Sequence, residues 1–334
     1  TDPHINLALE EYCLRNLDPE QDYLLFYINE PSIIVGRFQN TLEEINQNYV
    51  EKKGIHVVRR ISGGGAVYHD AGNLNFSFIT RYAKNNLLNF KKFTEPVIRT
   101  LKTMGIDAEL SGRNDILVNG KKISGNAQYA TRTSMLSHGT LLFDSDMETL
   151  VRALNVSEEK IVSKALKSVR SRVINIRECM QKCAIEAREG IAHRVTDIEM
   201  LKTRLLETVF APFGEIRTCP LSQEQWQAVY DLAATKYRSW EWNFGKSPKF
   251  NLQRKYRFLI GQVDTRIQVE SGVMTAVKMY GDFLGSGDVQ ELETLLTGQE
   301  FRKDTLLQCL EGVELGRYFG EMEAGDFVDY LCGS

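Results

Sequence analysis

Arg59-Arg60-Ile61-Ser62-Gly63-Gly64-Gly65-Ala66-Val67-Tyr68-His69-Asp70 is the stretch on which the reading of this chain turns. His56 to Arg60 reads as a strand that runs straight into the glycines, and Asn75 to Thr80 alternates as a strand beyond them. Both strands have the apolar character of buried ones. Glycine lets a backbone approach a ligand closely, and successive N–H groups can form an anion-binding nest. Arg60 can add a charged fork for a phosphate or carboxylate. The plainer reading is a flexible turn, since the stretch matches neither the Walker nor the Rossmann pattern.

Working outward, Ile5 to Leu17 carries apolar residues at 5, 8, 9, 12, 13 and 17, a helical period with Asp2 or Asn6 as cap. Tyr23 to Ile28 and Ile33 to Val35 read as strands around an Asn29-Glu30-Pro31 turn. Thr94 to Met104 is an amphipathic helix, with Thr94 as cap, Pro96 in its first turn and Gly105 as its stop. Ile116 to Val118 and Lys121 to Ile123 flank Asn119-Gly120, a strong hairpin signal. Leu141 to Phe143 ends another strand, and Asp146 to Leu154 is a helix. Lys160 to Arg172 is basic without a clean period and reads as an irregular loop. Thr196 with Glu199, and Ser222 with Gln225, look like capping boxes opening two further helices.

Composition shifts at Trp240-Glu241-Trp242-Asn243-Phe244-Gly245-Lys246-Ser247-Pro248. Strand-like runs follow at Tyr256 to Ile260, Arg266 to Val269 and Val273 to Met279, then helical runs at Gln290 to Leu296 and Lys303 to Leu310. The expected organisation is a mixed α/β domain over residues 1–245 and a small α+β domain over 246–334.

Two further places could carry chemistry. Gly112-Arg113-Asn114-Asp115 precedes Lys121-Lys122-Ile123-Ser124-Gly125-Asn126-Ala127. A lysine ahead of a small, glycine-containing strand can set its ammonium against a phosphate; it can equally be a solvated hairpin lysine. Asp115 is a turn residue or a carboxylate for magnesium. His138-Gly139-Thr140-Leu141 holds a histidine that is either structural or functional, and His69 carries the same ambiguity. The basic run containing Lys164, Ser168, Arg170 and Arg172 is a solvated face or a lid over an anion.

The bulk numbers bound these readings. The 334 residues are 43% hydrophobic and 25% charged, an ordinary globular composition. With 41 basic and 44 acidic side chains, the net charge of -3 lacks the basic excess of a nucleic-acid surface. No apolar run approaches the ~20 residues of a membrane span. No signal peptide is visible, though the chain begins at Thr1, which leaves room for a short leader. Cys13, Cys179, Cys183, Cys219, Cys309 and Cys332 form no CxxC pair and read as free thiols of a cytoplasmic protein. Cys179 and Cys183 share a helical face, more in keeping with apolar packing than with a metal.

In order, RRISGGGAVYHDAGN, GRNDILV, KKISGNA, HGTLLF, KSVRSRV and WEWNFGKSPKF resemble the bacterial lipoate–protein ligases in their large form with a C-terminal accessory domain. The resemblance runs from about Ile5 to Phe250 and more loosely to the end. It implies an α/β mixed (α+β) fold: mixed β-sheets flanked by helices, as in biotin and lipoate ligase catalytic domains. It implies ATP and Mg²⁺ as cofactors and lipoate as substrate, adenylated to lipoyl-AMP. The lipoyl group would then pass to a lysine of acceptor lipoyl domains, in E2 subunits of 2-oxoacid dehydrogenases or the glycine cleavage H protein, with no nucleic acid and no membrane as partner. By the same resemblance, Arg60, Gly65, Ala66, Val67 and Tyr68 touch the nucleotide or acyl chain, and Ser62, Gly63 and Gly64 shape the loop. His69, Asp70 and Asn73 match the motif, and His69, Asn73, Ser124, Gly125, Ala127 and His138 are expected among the residues that bind ATP or lipoyl-AMP. Lys122 matches the lysine that contacts both acyl carbonyl and phosphate. Lys164, Ser168 and Arg170 fall in the adenylate-binding loop. Asn126, Gln128 and Tyr129 stand where members vary. An octanoyltransferase of the same fold, working without ATP, is the nearest rival; it needs a cysteine nucleophile, and none lies between Cys13 and Cys179. A non-catalytic effector-binding module is the other alternative.

Overall fold

The computed structural model describes residues 1–83, 86–154, 171–186, 197–244, 252–258, 260–270, 272–320 and 322–332. Contacts group them into two units. One holds Thr1–Ile34, Ile45–Val58 and Val67–Ser239, the other Val35–Glu44, Arg59–Ala66 and Trp240–Ser334. A composition shift can mark the boundary near 245, but it carries no sign of the two early segments that group with the later one.

The first unit is built on helix α1 (Pro3–Asn16), strands β1 (Tyr23–Tyr27) and β2 (Ser32–Val35), helices α2 (Thr41–Glu44, grouped with the other unit) and α3 (Gln47–Lys53), and strands β3 (His56–Arg59), β4 (Val67–His69) and β5 (Asn73–Arg81). Helix α4 (Phe90–Thr103) and strands β6 (Ala108–Ser111), β7 (Asp115–Val118), β8 (Lys121–Ala130) and β9 (Ser134–Leu142) follow, then helix α5 (Met147–Ala153). Six strands form one sheet in the order β1-β5-β9-β8-β7-β6, and three form another, β3-β2-β4. The strands expected on either side of Asn29-Glu30-Pro31 therefore are not partners. β1 pairs with β5 in one sheet, and β2 lies between β3 and β4 in the other. The Asn119-Gly120 hairpin is present, with φ of 51° and 71° at the two turn residues and β7 antiparallel to β8.

Helix α1 buries Leu7, Ala8, Glu10, Glu11, Cys13 and Leu14, so its inner face is rotated from the expected 5/8/9/12 stripe and includes two carboxylates. Helix α4 starts at Phe90 with Asn89 as cap, not at Thr94. Thr94 is buried in the helix and donates its hydroxyl to the Phe90 carbonyl, and Pro96 lies inside it. The helix Ile198–Phe210 is capped by Asp197, which accepts from the Met200 amide; Thr196 lies outside the described residues. The Ser222–Gln225 capping box is formed as expected. Leu74, Phe76, Leu101, Ile116, Leu141 and Leu201 are among the core residues between sheet and helices.

Asp2 supplies the start of α1, accepting from the amides of His4 (2.8 Å) and Ile5 (3.3 Å) and pairing with Arg238. Partial burial raises its pKa, but Arg238 and the two amides outweigh that and hold the carboxyl down to about 2, from an ordinary 3.8. A depressed carboxylate contributes stability above its unfolded pKa and loses it as pH falls through the folded value. Asp2→Ala is therefore expected to cost about 1 kcal/mol at neutral pH, with the difference from wild type closing as pH falls from 3.8 toward 2. Denaturant titrations of both proteins across that range check it; a difference independent of pH would refute the charged cap.

The second unit carries an antiparallel sheet β10-β11-β12 (Leu252–Phe258, Gly261–Glu270, Val273–Gly281). Against it pack the helices Val289–Leu296, Lys303–Cys309, Gly316–Phe319 and Ala324–Cys332; the last two were not foreseen from sequence. Val263, Ile267, Phe283, Leu292 and Phe327 are central to its core. Phe38 belongs to that core too, its ring stacked on Phe283 at 4.8 Å. That aromatic pair, with the Gly281 amide donated to the Phe38 carbonyl at 2.6 Å, explains why an early segment belongs to the later unit. No described helix is long and apolar enough to cross a membrane.

Candidate functional site

The glycine loop lies in the second unit. Arg60 is 7% exposed. Its amide is donated to the Val35 carbonyl at 3.0 Å, and its guanidinium folds back over the loop, donating to Ser62 Oγ (3.1 Å) and the carbonyls of Gly63 (2.6 Å) and Gly65 (2.9 Å). The glycines serve different purposes. A Cβ on Gly63 would stand 2.3 Å from the Phe283 carbonyl oxygen, and one on Gly36 would stand 1.9 Å from that of Gly64. Gly64 has φ +94°, and its amide is donated to the Phe283 carbonyl at 3.3 Å. Backbone fills the space beside Gly36 and Gly63; only at Gly65, within the triplet, would a Cβ meet nothing within 4 Å. The open side of the loop, where a ligand can approach its backbone, is at Gly65.

The lysine cluster lies in the first unit. Lys122 Nζ is 2.8 Å from Asp115 Oδ1, with both side chains about one-third exposed (35% and 36%). β7 opposes β8 with Asp115 across from Gly125 and Leu117 across from Lys122. A Cβ on Gly125 would lie 3.0 Å from Lys122 Cε and Nζ, so the missing side chain makes the groove in which the lysine lies. Asn114 and Asn126 hold this geometry. The Asn126 amide and Nδ2 both donate to the Asn114 carbonyl, at 3.0 and 2.9 Å, and Asn114 Nδ2 donates back to the Asn126 carbonyl. An ammonium has three donors, and the Asp115 pair uses one.

The remaining expected residues fall in known surroundings. Val67, Tyr68 and His69 form β4, opposite Ile34, Ile33 and Ser32. Burial pushes the Tyr68 hydroxyl well above its ordinary pKa. Asn29 Nδ2 donates to His69 Nδ1 at 2.9 Å, and Asn6 Nδ2 donates to Asn29 Oδ1 at 2.8 Å, so His69 belongs to a polar chain that ties α1 to β4. Asn73 is fully buried and donates to Asn75 Oδ1. Ser124, also buried, accepts from Asn126 Nδ2. Ala127 pairs across β8–β9 with His138. His138 Nδ1 lies 2.9 and 3.0 Å from the two oxygens of Glu10. Ser77 Oγ and Tyr27 OH donate to the same carboxylate. Glu10 thus gathers His138, Ser77 and Tyr27 around one buried carboxyl group. Lys164, Ser168 and Arg170 lie outside the described residues.

Sequence reasoning missed Glu10, Gly36 and Arg59. Glu10 and Glu11 stand three and four residues after Leu7, on the face that Leu7 and Leu14 bury, a signal the helical wheel contains. Arg59 stands beside Arg60 with no local pattern to mark its task; it is buried, 8% exposed. Nothing in the sequence marks Gly36 as the residue against which Gly64 packs.

Among the described residues no three His, Cys, Asp or Glu converge on a point where a metal could sit. Magnesium commonly takes only one or two protein carboxylates beside substrate phosphates. Asp115 offers one such carboxylate, with its Oδ1 already paired to Lys122 Nζ at 2.8 Å. Burial pushes the Cys13 thiol up to about 12, and Cys179 is buried in the core; neither is the low-pKa, accessible thiol of a cysteine nucleophile.

Residues 2–209 match the lipoyl protein ligase A/B catalytic domain, and residues 247–331 match the bacterial lipoate protein ligase C-terminus. Over 332 residues the chain is 50% identical to the lipoate-protein ligase LplJ of Bacillus subtilis (strain 168), an alignment covering 99% of this chain and 97% of that protein. A bi-partite lipoate protein ligase from Thermoplasma acidophilum, described together with its E2 lipoyl domain, is similar in structure at TM-score 0.63 and 29% identity, covering 75% of this chain and 94% of that one. A lipoate-protein ligase A bound with ATP gives 0.60 at 27% identity, covering 73% and 94%.

Proposed function

The chain belongs to the lipoyl protein ligase A/B catalytic family, and from that premise we propose an ATP-dependent lipoate–protein ligase that makes lipoyl-AMP and passes the lipoyl group to a protein lysine. In the first step a carboxylate oxygen of lipoate attacks the α-phosphorus of ATP, and pyrophosphate leaves. Two anions must meet, which water at neutral pH resists. The open backbone at Gly65, in the loop that the Arg60 guanidinium braces, serves the nucleotide. Lys122, held at 2.8 Å by Asp115, offsets charge on the acyl and phosphoryl oxygens. Mg²⁺, with Asp115 as its one protein carboxylate, would neutralise phosphate charge when bound.

In the second step the ε-amine of the acceptor lysine attacks the acyl carbon, the C–O bond to phosphate breaks, and AMP leaves. A free lysine has a pKa of ~10.4, so the acceptor amine must shed a proton; the phosphate of AMP or solvent takes it. The acceptors are lipoyl domains of E2 subunits or the glycine cleavage H protein. A solved relative described with its E2 lipoyl domain supports the first of these, and one bound with ATP supports the nucleotide.

The observation that carries the reading is the lysine itself, laid in the groove at Gly125 and held by a carboxylate across the hairpin. The test is mass spectrometry of an apo lipoyl domain incubated with this protein, ATP, Mg²⁺ and lipoate. The expected product is a lipoyl adduct on one lysine, dependent on ATP. Labelling that proceeds equally well without ATP, or none at all, would overturn the proposal.

A further inference from the structure

We propose that Arg59 is a positioning residue for the glycine loop, acting through its neighbour Arg60. The inference rests on the reading of that loop as the nucleotide-binding element. Arg59 Nη1 shares its hydrogens among the carbonyls of Gly36 (2.8 Å), Arg37 (2.9 Å) and Gln39 (2.7 Å). Nη2 donates to Thr41 Oγ1 (2.6 Å) and the Asn243 carbonyl (3.1 Å), and Nε to the Trp242 carbonyl (2.9 Å). Its main chain is clamped as well: the amide is donated to Asn243 Oδ1 and the carbonyl accepts from Trp242 Nε1, each at 2.8 Å.

Every acceptor is a neutral oxygen. Among the described residues no carboxylate pairs with the buried charge, and the desolvation pulls its pKa down to about 10. Converging carbonyl dipoles repel one another unless a cation stands among them, and a fork with five N–H donors suits so many acceptors where a lysine's single point does not. The arginine therefore gathers segments 36–41 and 242–243 around the start of the loop.

The consequence falls on the next residue. Arg59's backbone N–H and C=O are both fixed by Trp242–Asn243, and the amide of Arg60 is fixed by Val35. The direction in which Arg60 leaves the chain is thus set, and with it the reach of its guanidinium to Ser62, Gly63 and Gly65. The Arg37 amide is donated to the Ser62 carbonyl at 2.9 Å, so the segment that Arg59 gathers also holds the loop from its other side.

The test uses the full chain with Arg59→Lys, and Thr41→Val as a milder variant that removes one acceptor of Arg59, together with the hydroxyl's own bond to the Asn243 carbonyl, and keeps the shape. Two readouts are taken. Without nucleotide, hydrogen exchange of the amides over 62–66 should quicken about tenfold or more in Arg59→Lys, while the β5–β9 amides keep their rates. In lipoyl-AMP formation, the KM for ATP should rise about tenfold while the KM for lipoate stays within about twofold. Thr41→Val should shift both readouts in the same direction and less. Unchanged loop exchange, exchange that quickens equally throughout the chain, or a KM for ATP within about twofold of wild type would each overturn the proposal. If the wild type made no lipoyl-AMP, the ligase reading would fall, and the exchange measurement would still decide what Arg59 does.

Discussion

Lys122→Ala is expected to cut lipoyl-AMP formation by roughly 10²–10³-fold, the scale seen when one preorganised charge-stabilising donor is removed. The fold should barely notice. The Lys122–Asp115 pair has both side chains about one-third exposed, and pairs so accessible to water contribute about 0–1 kcal/mol. The main-chain bonds that order the strand, including the Lys122 carbonyl accepting from the Ile174 amide at 3.0 Å, survive the substitution. Pyrophosphate release and a thermal melt on the same preparation check both halves. Near wild-type release would remove Lys122 from the chemistry, and a collapsed melt would recast it as structural.

Gly36→Ala should be nearly as damaging for a different reason. The new methyl carbon would stand 1.9 Å from the Gly64 carbonyl oxygen and 3.3 Å from Arg60 Nη2. The first of these is backbone in a left-handed conformation and has no rotamer to escape into. Overpacking of this kind costs about 1–3 kcal/mol or more, and displacing a substrate-positioning loop by about 1 Å can cost on the order of 10²-fold in rate. A lower melting midpoint together with severely impaired adenylation is the expected result. Gly65→Ala is the control for packing: with nothing within 4 Å of the added carbon, its midpoint should match wild type. Equal melting of Gly36→Ala and Gly65→Ala would show that the close approach at Gly36 is not real.

The local elements were legible where a short-range cause produces them. Asp2 caps its helix because the side chain reaches the amides of His4 and Ile5, and Asn119-Gly120 turns because both residues take positive φ. Errors came where a distant partner overrules local preference. Thr94 has the chemistry of a cap, yet Asn89 takes that place and buries Thr94 within the helix. β1 and β2 form where the sequence places them, but which strands they pair with is set by β5 and β4, partners that no local pattern marks.

The candidate site divides in the same way. The glycine triplet, Arg60, the hairpin lysine and the histidine of the HGT motif could all be picked out from residue type and order, since those chemistries are written in single side chains. What the sequence alone determined was the family and the list of groups able to meet an anion. Only the tertiary structure decided their tasks. Gly36 and Gly63 yield to neighbouring backbone while Gly65 stays open, Asp115 holds Lys122, Glu10 meets His138, and the two buried arginines take different tasks, Arg59 clasping segments 36–41 and 242–243 and Arg60 the glycine loop itself. These are decisions of distance at the scale of a single atom between residues up to about two hundred positions apart, and close packing, which leaves no slack between such residues, exists only once the chain has folded.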